Sequence, residues 1–401
     1  MALQTAQALQ KQWHTVTLYT FEKNDTCFSD LQKGIDIRVW TKGKNIWFFP
    51  LRKLIVIATL AWELRHVDII IANNPPMQIV AALTKLFVPR IATLWWHHHI
   101  PWYFIEWSKK ITSPLFWKGL FERLFVAPRI DQMIATSHFI AEKVQNYCGR
   151  ESKVIHPIIE MREYEASNTV KSDIITLTTH GRLEVGKGLD MIVRVYERIK
   201  REEECLNDMP SQKEKNEGIA SVIPAQAGIQ AWIDRNTDDT KLAGLDSRLH
   251  GSDGNSIRLI IFWTGTLEPE LREKGIDVRP FDRETTFRDL LSGEYGHVLW
   301  VYCSQIDGFG MAPLESQVAG ISTVILDSAG ARETIVTNVS DEPVGYLVES
   351  EEHLFRIISH YVQEKTFPKS VSNVNFSHHR DYFTTDRLSS DLLSIINKTE
   401  V

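Results

Sequence analysis

Short, nearly continuous apolar runs alternate with longer stretches of helical periodicity along most of the chain. Val67–Ala72, Ile91–Trp96, Ile174–Thr179, the run from Ile257, His297–Tyr302 and Ser322–Leu326 read as strands buried on both faces. Between them, Leu54–Leu64, the segment opened by Pro75–Pro76 and running through Leu86, Leu189–Arg201, Glu351–Gln363 and Thr385–Lys398 carry apolar residues at helical spacing. At the amino end, Met1–His14 predicts a helix, and Thr15–Thr20 and Ile35–Trp40 predict strands. Further along, Val278–Phe281 predicts a strand, Thr286–Ser292 a helix and Val344–Val348 a small strand. Such alternation predicts the α/β class: parallel sheets with helices on both faces. The rhythm fails once. Between Arg201 and Ile257 lie more than fifty mostly polar residues, where a strand–helix connection usually takes about 2–6.

Composition sharpens this only in part. The 401 residues suffice for two domains, and 43% hydrophobic with 24% charged residues is that of an ordinary globular protein. The formal net charge of -6 hides an asymmetry: Met1–Glu165 carries 20 Lys and Arg against 14 Asp and Glu. A basic amino-terminal half suits an anionic partner such as a membrane surface or a phosphorylated acceptor, and also fits a chance surface imbalance. The stretch Ile105–Ile130 interleaves aromatic with basic residues, which suits a helix in a membrane interface or an amphipathic helix facing a core. The longest apolar run, Leu54–Trp62, is about half of the ~20 residues a spanning helix needs. Four cysteines far apart, with no C-x-x-C spacing, suit neither a disulfide framework nor a zinc site and fit a reducing, cytoplasmic setting.

Candidate chemistry sits where strands hand over to helices. After His297–Tyr302 comes Asp307-Gly308-Phe309-Gly310-Met311-Ala-Pro-Leu-Glu315 and then the helix predicted from Ala312–Pro313 to Gly320. Glycines allow close backbone approach, helix-opening N–H groups suit an anion, and the two carboxylates suit a hydroxyl-rich ligand. Glu315 could equally complement the helix dipole. After Ile174–Thr179 comes His180-Gly181-Arg182-Leu-Glu-Val-Gly-Lys187-Gly188, in which two cations on a glycine loop open a helix. Beyond Ser322–Leu326 a small-residue loop, Ser328–Glu333, opens another predicted helix at Ala331–Arg332. Three consecutive histidines, His97–His99, end one strand; side chains there alternate in direction, which argues against a shared metal.

Together these motifs resemble family 4 retaining glycosyltransferases of the GT-B fold, two doubly wound Rossmann-like domains facing a cleft. D-G-F-G-M-A-P-L-E resembles that family's E-G-F-G-x-x-x-x-E signature, with Asp307 in place of the first acid, and G-R-L-x-x-x-K-G is intact. The resemblance implies an acceptor domain over residues 1–165, a nucleotide-sugar domain over 166–380 interrupted at 202–256, and a helix over 381–401 packing back toward the first domain. It implies His99 near the transferred sugar, with His97 as second choice, or a histidine merely packed among tryptophans. Arg182 and Lys187 would hold the donor diphosphate, Asp307 the sugar hydroxyls and Glu315 the ribose. Gly181, Gly265, Gly308, Phe309, Gly310 and Met311 would complete the donor site. Thr264–Thr266 would lie near the nucleotide, and Val278–Phe281 with Thr286–Ser292 would cover the base.

The implied reaction is retaining transfer from a nucleotide-diphosphate sugar, GDP-mannose or a UDP-sugar, to a glycan or lipid-linked acceptor, without cofactor, metal or nucleic acid. Cys27–Phe28 faintly resembles mannosyltransferases. The family's first strand and glycine loop are missing before the first helix, so the chain reads as N-terminally truncated: either the true start lies upstream, or it is a truncated descendant. Val222–Gln230 and Leu245–Gly254 resemble translated copies of a dispersed bacterial repeat, a passenger without function, which suggests a bacterial source. Expected localisation is cytoplasmic, with peripheral contact at the inner membrane face. Two alternatives stay open: an inactive remnant that binds nucleotide only, and a sugar-nucleotide epimerase of the same fold.

Overall fold

The computed structural model describes residues 2–12, 14–20, 35–39, 50–73, 77–98, 112–159, 164, 170–181, 186–207, 256–262, 265, 267–335, 345–364 and 382–399. The readings placed on Cys27–Phe28, His99, Arg182, Thr264, Thr266 and the repeat-like stretch 222–254 fall outside them. The chain divides into two units. The first holds Met1–Glu160, Asp307–Phe309 and His379–Val401; the second holds Met161–Ile306 and Gly310–His378.

In the first unit, α1 (Ala2–Lys11) leads into β1 (Thr17–Thr20), which pairs in parallel with β2 (Asp36–Val39). A second sheet, in the order β3 (Ile69–Ala72), β4 (Ala92–His97), β5 (Gln132–Ala135), β6 (Ser152–Val154), is also parallel. Because strand side chains alternate, β4 and β5 feed two cores. Trp95, Met133 and Ala135 pack beneath α2 (Pro50–Glu63), α3 (Met77–Phe87) and α5 (His138–Cys148). Leu94, Trp96 and Ile134 pack on the other face, against α1 and the last helix of the chain. Between these lies α4 (Pro114–Phe121), which continues as a π-helical turn over Glu122–Val126 and a 3₁₀ turn over Ala127–Arg129. The single helix read across Ile105–Ile130 is therefore three helical geometries over its described part.

In the second unit, six parallel strands run in the order β12 (Gly345–Val348), β11 (Ser322–Leu326), β10 (His297–Tyr302), β7 (Ile175–His180), β8 (Ile257–Phe262), β9 (Asp277–Arg279). Leu259, Ile261, Leu299 and Val301 face one core under α6 (Leu189–Asn207) and α10 (Glu351–Glu364). Ile260, Phe262 and Trp300 face another, with α8 (Arg283–Leu290) supplying Phe287 and Leu290. Two short helices, α7 (Glu268–Glu273) and α9 (Met311–Val318), and the closing α11 (Thr385–Thr399), which belongs to the first unit, complete the set.

Two expectations are corrected. The helix from Leu189 does not stop at Arg201 but runs to Asn207, because Arg198–Glu202 and Lys200–Glu204 form pairs at helical spacing, 3.4 and 4.0 Å. The interruption read as starting at residue 202 thus begins inside a helix. The helix expected at Ala331–Arg332 is a 3₁₀ segment, Ala329–Thr334, entered through Ala329 at φ 53°, a left-handed conformation unusual for alanine.

Candidate functional site

Strand order in the second unit reverses at β7. From there β8 and β9 build outward on one side, β10, β11 and β12 on the other. In open parallel sheets a ligand binds beyond the carboxyl ends of the strands at such a reversal. The last residue of β7 is His180, and the loop after β10 leads to Glu315 on α9.

These two side chains meet. His180 Nε2 lies 2.7 Å from Glu315 Oε2, and both residues are buried. The other carboxylate oxygen, Oε1, accepts from the Arg283 guanidinium. Arg283 opens α8, whose start is fixed by Asp282: its carboxylate accepts from the Thr285 N–H at 3.0 Å. Helix α9 is held in turn. Gln317 Nε2 donates to the carbonyls of Pro313 and Thr334, both at 2.9 Å, and the Ser316 and Thr323 hydroxyls are 2.9 Å apart. Gly310, in front of α9, has φ 84°, and a Cβ there would lie 2.9 Å from that of Ala331. Only glycine lets the chain turn so close to the 3₁₀ segment.

Charge states follow from burial and partners. Burial lowers the pKa of His180, so its imidazole is neutral; facing an acceptor, Nε2 carries the proton. Burial alone would raise the pKa of Glu315, but the hydrogen bond from His180 and the Arg283 guanidinium outweigh it and hold the carboxyl below its usual value. The His180 ring lies face to face with Phe281, centroids 4.2 Å apart at 6°, and edge-on to Trp300 at 4.7 Å. A rigid, ionised carboxylate thus stands at the sheet's reversal point. Its oxygens keep lone pairs that two neutral hydroxyls could fill.

The glycine loop after β7 approaches the same edge. Gln305 N–H donates to the Gly186 carbonyl at 3.2 Å. A Cβ on Gly188, φ 71°, would fall 2.0 Å from the Cys303 carbonyl oxygen, so only glycine allows this contact between the loop and the end of β10. Gly181, half-buried, follows His180 directly, and Lys187 is half-buried between the two packed glycines. Gly265 is exposed before α7, where its carbonyl accepts from Glu268. Met311, half-buried, is the first residue of α9.

Asp307, Gly308 and Phe309 group with the first unit. There the Gly308 carbonyl accepts from the Ser137 hydroxyl, and the Phe309 ring is 5.4 Å from His156 and 5.9 Å from Phe383. His97, the second choice beside His99, is 5% exposed and lies 4.2 Å from Trp95. Burial lowers its pKa to about 3. It is a buried, neutral histidine.

The sequence motifs assign no role to His180 or Arg283. The available signal was position, a polar residue closing an otherwise apolar strand immediately before a cationic glycine loop.

Comparison with known proteins adds the frame. Residues 1–163 match the family described as Glycosyltransferase Family 4. No curated protein matches. Among solved structures, Anabaena Alr3699/HepE in complex with UDP and glucose is similar at a TM-score of 0.64 and 13% identity, covering 99% of this chain and 96% of that one. The lipopolysaccharide outer core galactosyltransferase WaaB is similar at 0.62 and 12%, over 99% and 96%. A glycosyltransferase from Rickettsia africae ESF-5 is similar at 0.61 and 12%, over 99% and 93%. The fold of this chain is that of the GT-B glycosyltransferases.

Proposed function

We infer that the chain is a retaining glycosyltransferase, moving a sugar from a nucleotide-diphosphate donor, UDP- or GDP-linked, to a glycan or lipid-linked acceptor. One observation carries this reading. A buried, ionised Glu315, oriented by His180 and Arg283, stands at the sheet's reversal point, where the glycine loop that bears Lys187 packs against the end of β10. That combination suits a ligand with a diol at one end and phosphates at the other. The match of residues 1–163 and the UDP and UDP-glucose held by Alr3699/HepE support it.

On this reading Glu315 accepts from the ribose hydroxyls. Arg182 and Lys187, with the helix-opening N–H groups of α6, neutralise the diphosphate as it leaves, which is the main catalytic contribution. Asp307, with Gly308, Phe309, Gly310 and Met311, takes the transferred sugar; Gly181 and Gly265 line the nucleotide; His99 serves the sugar. The leaving phosphate accepts the acceptor's proton on the same face, and the anomeric configuration is kept.

The test is turnover. UDP-glucose and GDP-mannose are incubated with glycan and lipid-linked acceptors, and the product's anomeric configuration is read by NMR. Inversion would overturn the retaining mechanism, and a changed sugar nucleotide without acceptor would mean an epimerase. Arg182→Ala should weaken UDP or GDP binding by tenfold or more, on the scale of a lost charge-assisted contact. Unchanged affinity would count against the site. A second reading, nucleotide binding without turnover, draws on the first unit, where among the described residues β1–β2 and β3–β6 form separate sheets. Nucleotide affinity with no transfer to any acceptor would favour it.

A further inference from the structure

Helix α3 is built inside out. Of its eleven residues only Gln78, Thr84 and Lys85 are polar, and none is presented to solvent as an ordinary surface charge. Gln78 and Thr84 are fully buried. The Lys85 ammonium donates to the Ile91 carbonyl at 2.7 Å and to Asp131 at 2.8 Å. What the helix turns outward at its end is Leu86 and Phe87, 51% and 57% exposed.

Its neighbours repeat the arrangement. Trp117, Phe121 and Leu124, at spacings of four and three along α4 and the π-helical turn, are 56%, 42% and 65% exposed. The acid of that turn, Glu122, is fully buried and accepts from Gln78 Nε2 at 3.1 Å. On α2, Ile55 and Trp62, two turns apart on one stripe, are each 58% exposed. Helix α3 packs beside both α2 and the π-helical turn. Seven of the nine exposed large hydrophobic residues among the described ones belong to these three elements. A helix whose polar groups pair inward while its aromatic groups face out is the reverse of one meant for water.

We propose that the outer face of α2, α3 and α4 with its π-helical turn docks on an anionic lipid bilayer. Charge selects this occupant. Among the described side chains between Ile55 and Ile130, six Lys and Arg stand against three Asp and Glu; with Lys85 paired inward and Glu122 buried, five cations remain against Glu63 and Asp68. Around the apolar stripes, Arg90 and Arg123 are exposed, the Arg65 guanidinium covers the Trp62 ring at 4.3 Å, and Arg129 covers Phe125 at 4.1 Å. Aromatic residues at headgroup depth with cations around them is the pattern of an interfacial, non-spanning contact. No described helix is long and apolar enough to cross a membrane. A second copy docking through the same face would set these cations against their own kind, which disfavours a symmetric dimer. The surface stands independently of the sugar-transfer reading.

The experiment is sedimentation of the full chain with vesicles of phosphatidylcholine alone or with added phosphatidylglycerol. Binding is expected to the anionic vesicles. The double variant Trp117→Asp, Leu124→Asp should weaken it at least tenfold, and Arg123→Glu about fivefold on anionic vesicles only. Val170→Asp, about half exposed but in the second unit, should change nothing. Unchanged thermal melts certify that the variants fold; should the double variant fail to fold, Arg123→Glu and quenching of tryptophan emission by brominated lipid decide. The proposal is overturned by absence of binding to either vesicle. It is overturned equally if the folded double variant binds as the parent does, or if the parent is a dimer that this variant dissociates with no effect of lipid.

Discussion

Two buried glutamates on helical segments, one in each unit, are pushed in opposite directions, and Glu203, buried on α6 of the second unit, is raised like the first of them. Glu122 in the first unit has Gln78 as a neutral donor, and Lys118 comes no nearer than 4.0 Å. Burial wins, and its pKa rises to about 7. Glu315 in the second unit is buried almost as deeply, yet His180 and Arg283 overcome burial and keep it ionised. The same residue type at similar depth thus exchanges its proton near neutrality in one place and is a fixed negative charge in the other. Partners, not depth, decide which buried acid is available to a polar ligand.

The contrast breaks most visibly at Glu315. Glu315→Gln keeps the size and the acceptor for His180 but removes the charge that Arg283 faces. Turnover with a sugar nucleotide should fall by about 10²–10³, the scale for losing one preorganised polar contact at a reacting site. Because the pKa of Glu315 is depressed, its stabilising contribution is present above the usual carboxylate range and is lost only as pH falls through the lower folded value. The parent's melting temperature should therefore show no loss from this group between neutrality and about pH 5. A variant with full activity would remove Glu315 from the site.

How much of this was legible beforehand differs by level. Strands such as Ser322–Leu326 and Ile69–Ala72, the latter within the run read as Val67–Ala72, are legible because strands covered on both faces are dominated by β-branched and other apolar residues. The site was readable only as two motifs. That His180 orients Glu315 depends on strand order, which places the end of β7 beside the loop after β10, 135 residues further along the chain. Arg283 comes from a third element, and nothing in its local sequence points at Glu315. Helix α3 hid its inversion for a different reason. With apolar residues almost all round, its periodicity does not say which stripe faces the sheet; burial of Gln78 and Thr84 does.

A smaller and opposite effect is expected at Glu122. Its folded pKa, about 7, is raised above the ordinary value of 4.5. The folded state therefore holds the proton more tightly than the unfolded one, and stability drains away as pH rises through that interval. Glu122→Gln, which keeps the acceptor for Gln78, should match the parent near pH 4.5 and exceed it by up to about 3 kcal/mol at pH 8, at about 1.4 kcal/mol per unit. Denaturant melts of both proteins across this range test it. A parent that gains on the variant as pH rises would mean that Glu122 is ionised and paired.

The least effect should come from the surface where the second unit differs most from the first. Where α2, α3 and α4 turn out tryptophan, leucine and phenylalanine, α6 and α10 turn out a lattice of charges. Arg194 Nη2 lies 2.8 Å from Glu351, its Nη1 2.8 Å from Asp190, and Arg198 Nη1 2.6 Å from Glu352. All are well exposed, so water competes for each partner and salt screens what remains. Arg194→Ala should cost under about 1 kcal/mol, shrinking further at high ionic strength. The Arg198 guanidinium also covers the Phe355 ring at 3.5 Å, and Phe355 is buried in the core beneath. Arg198→Ala should therefore cost slightly more than Arg194→Ala and keep the excess in high salt, because part of its contribution is packing rather than charge. Equal costs that vanish together in salt would show that both arginines act only through their ion pairs.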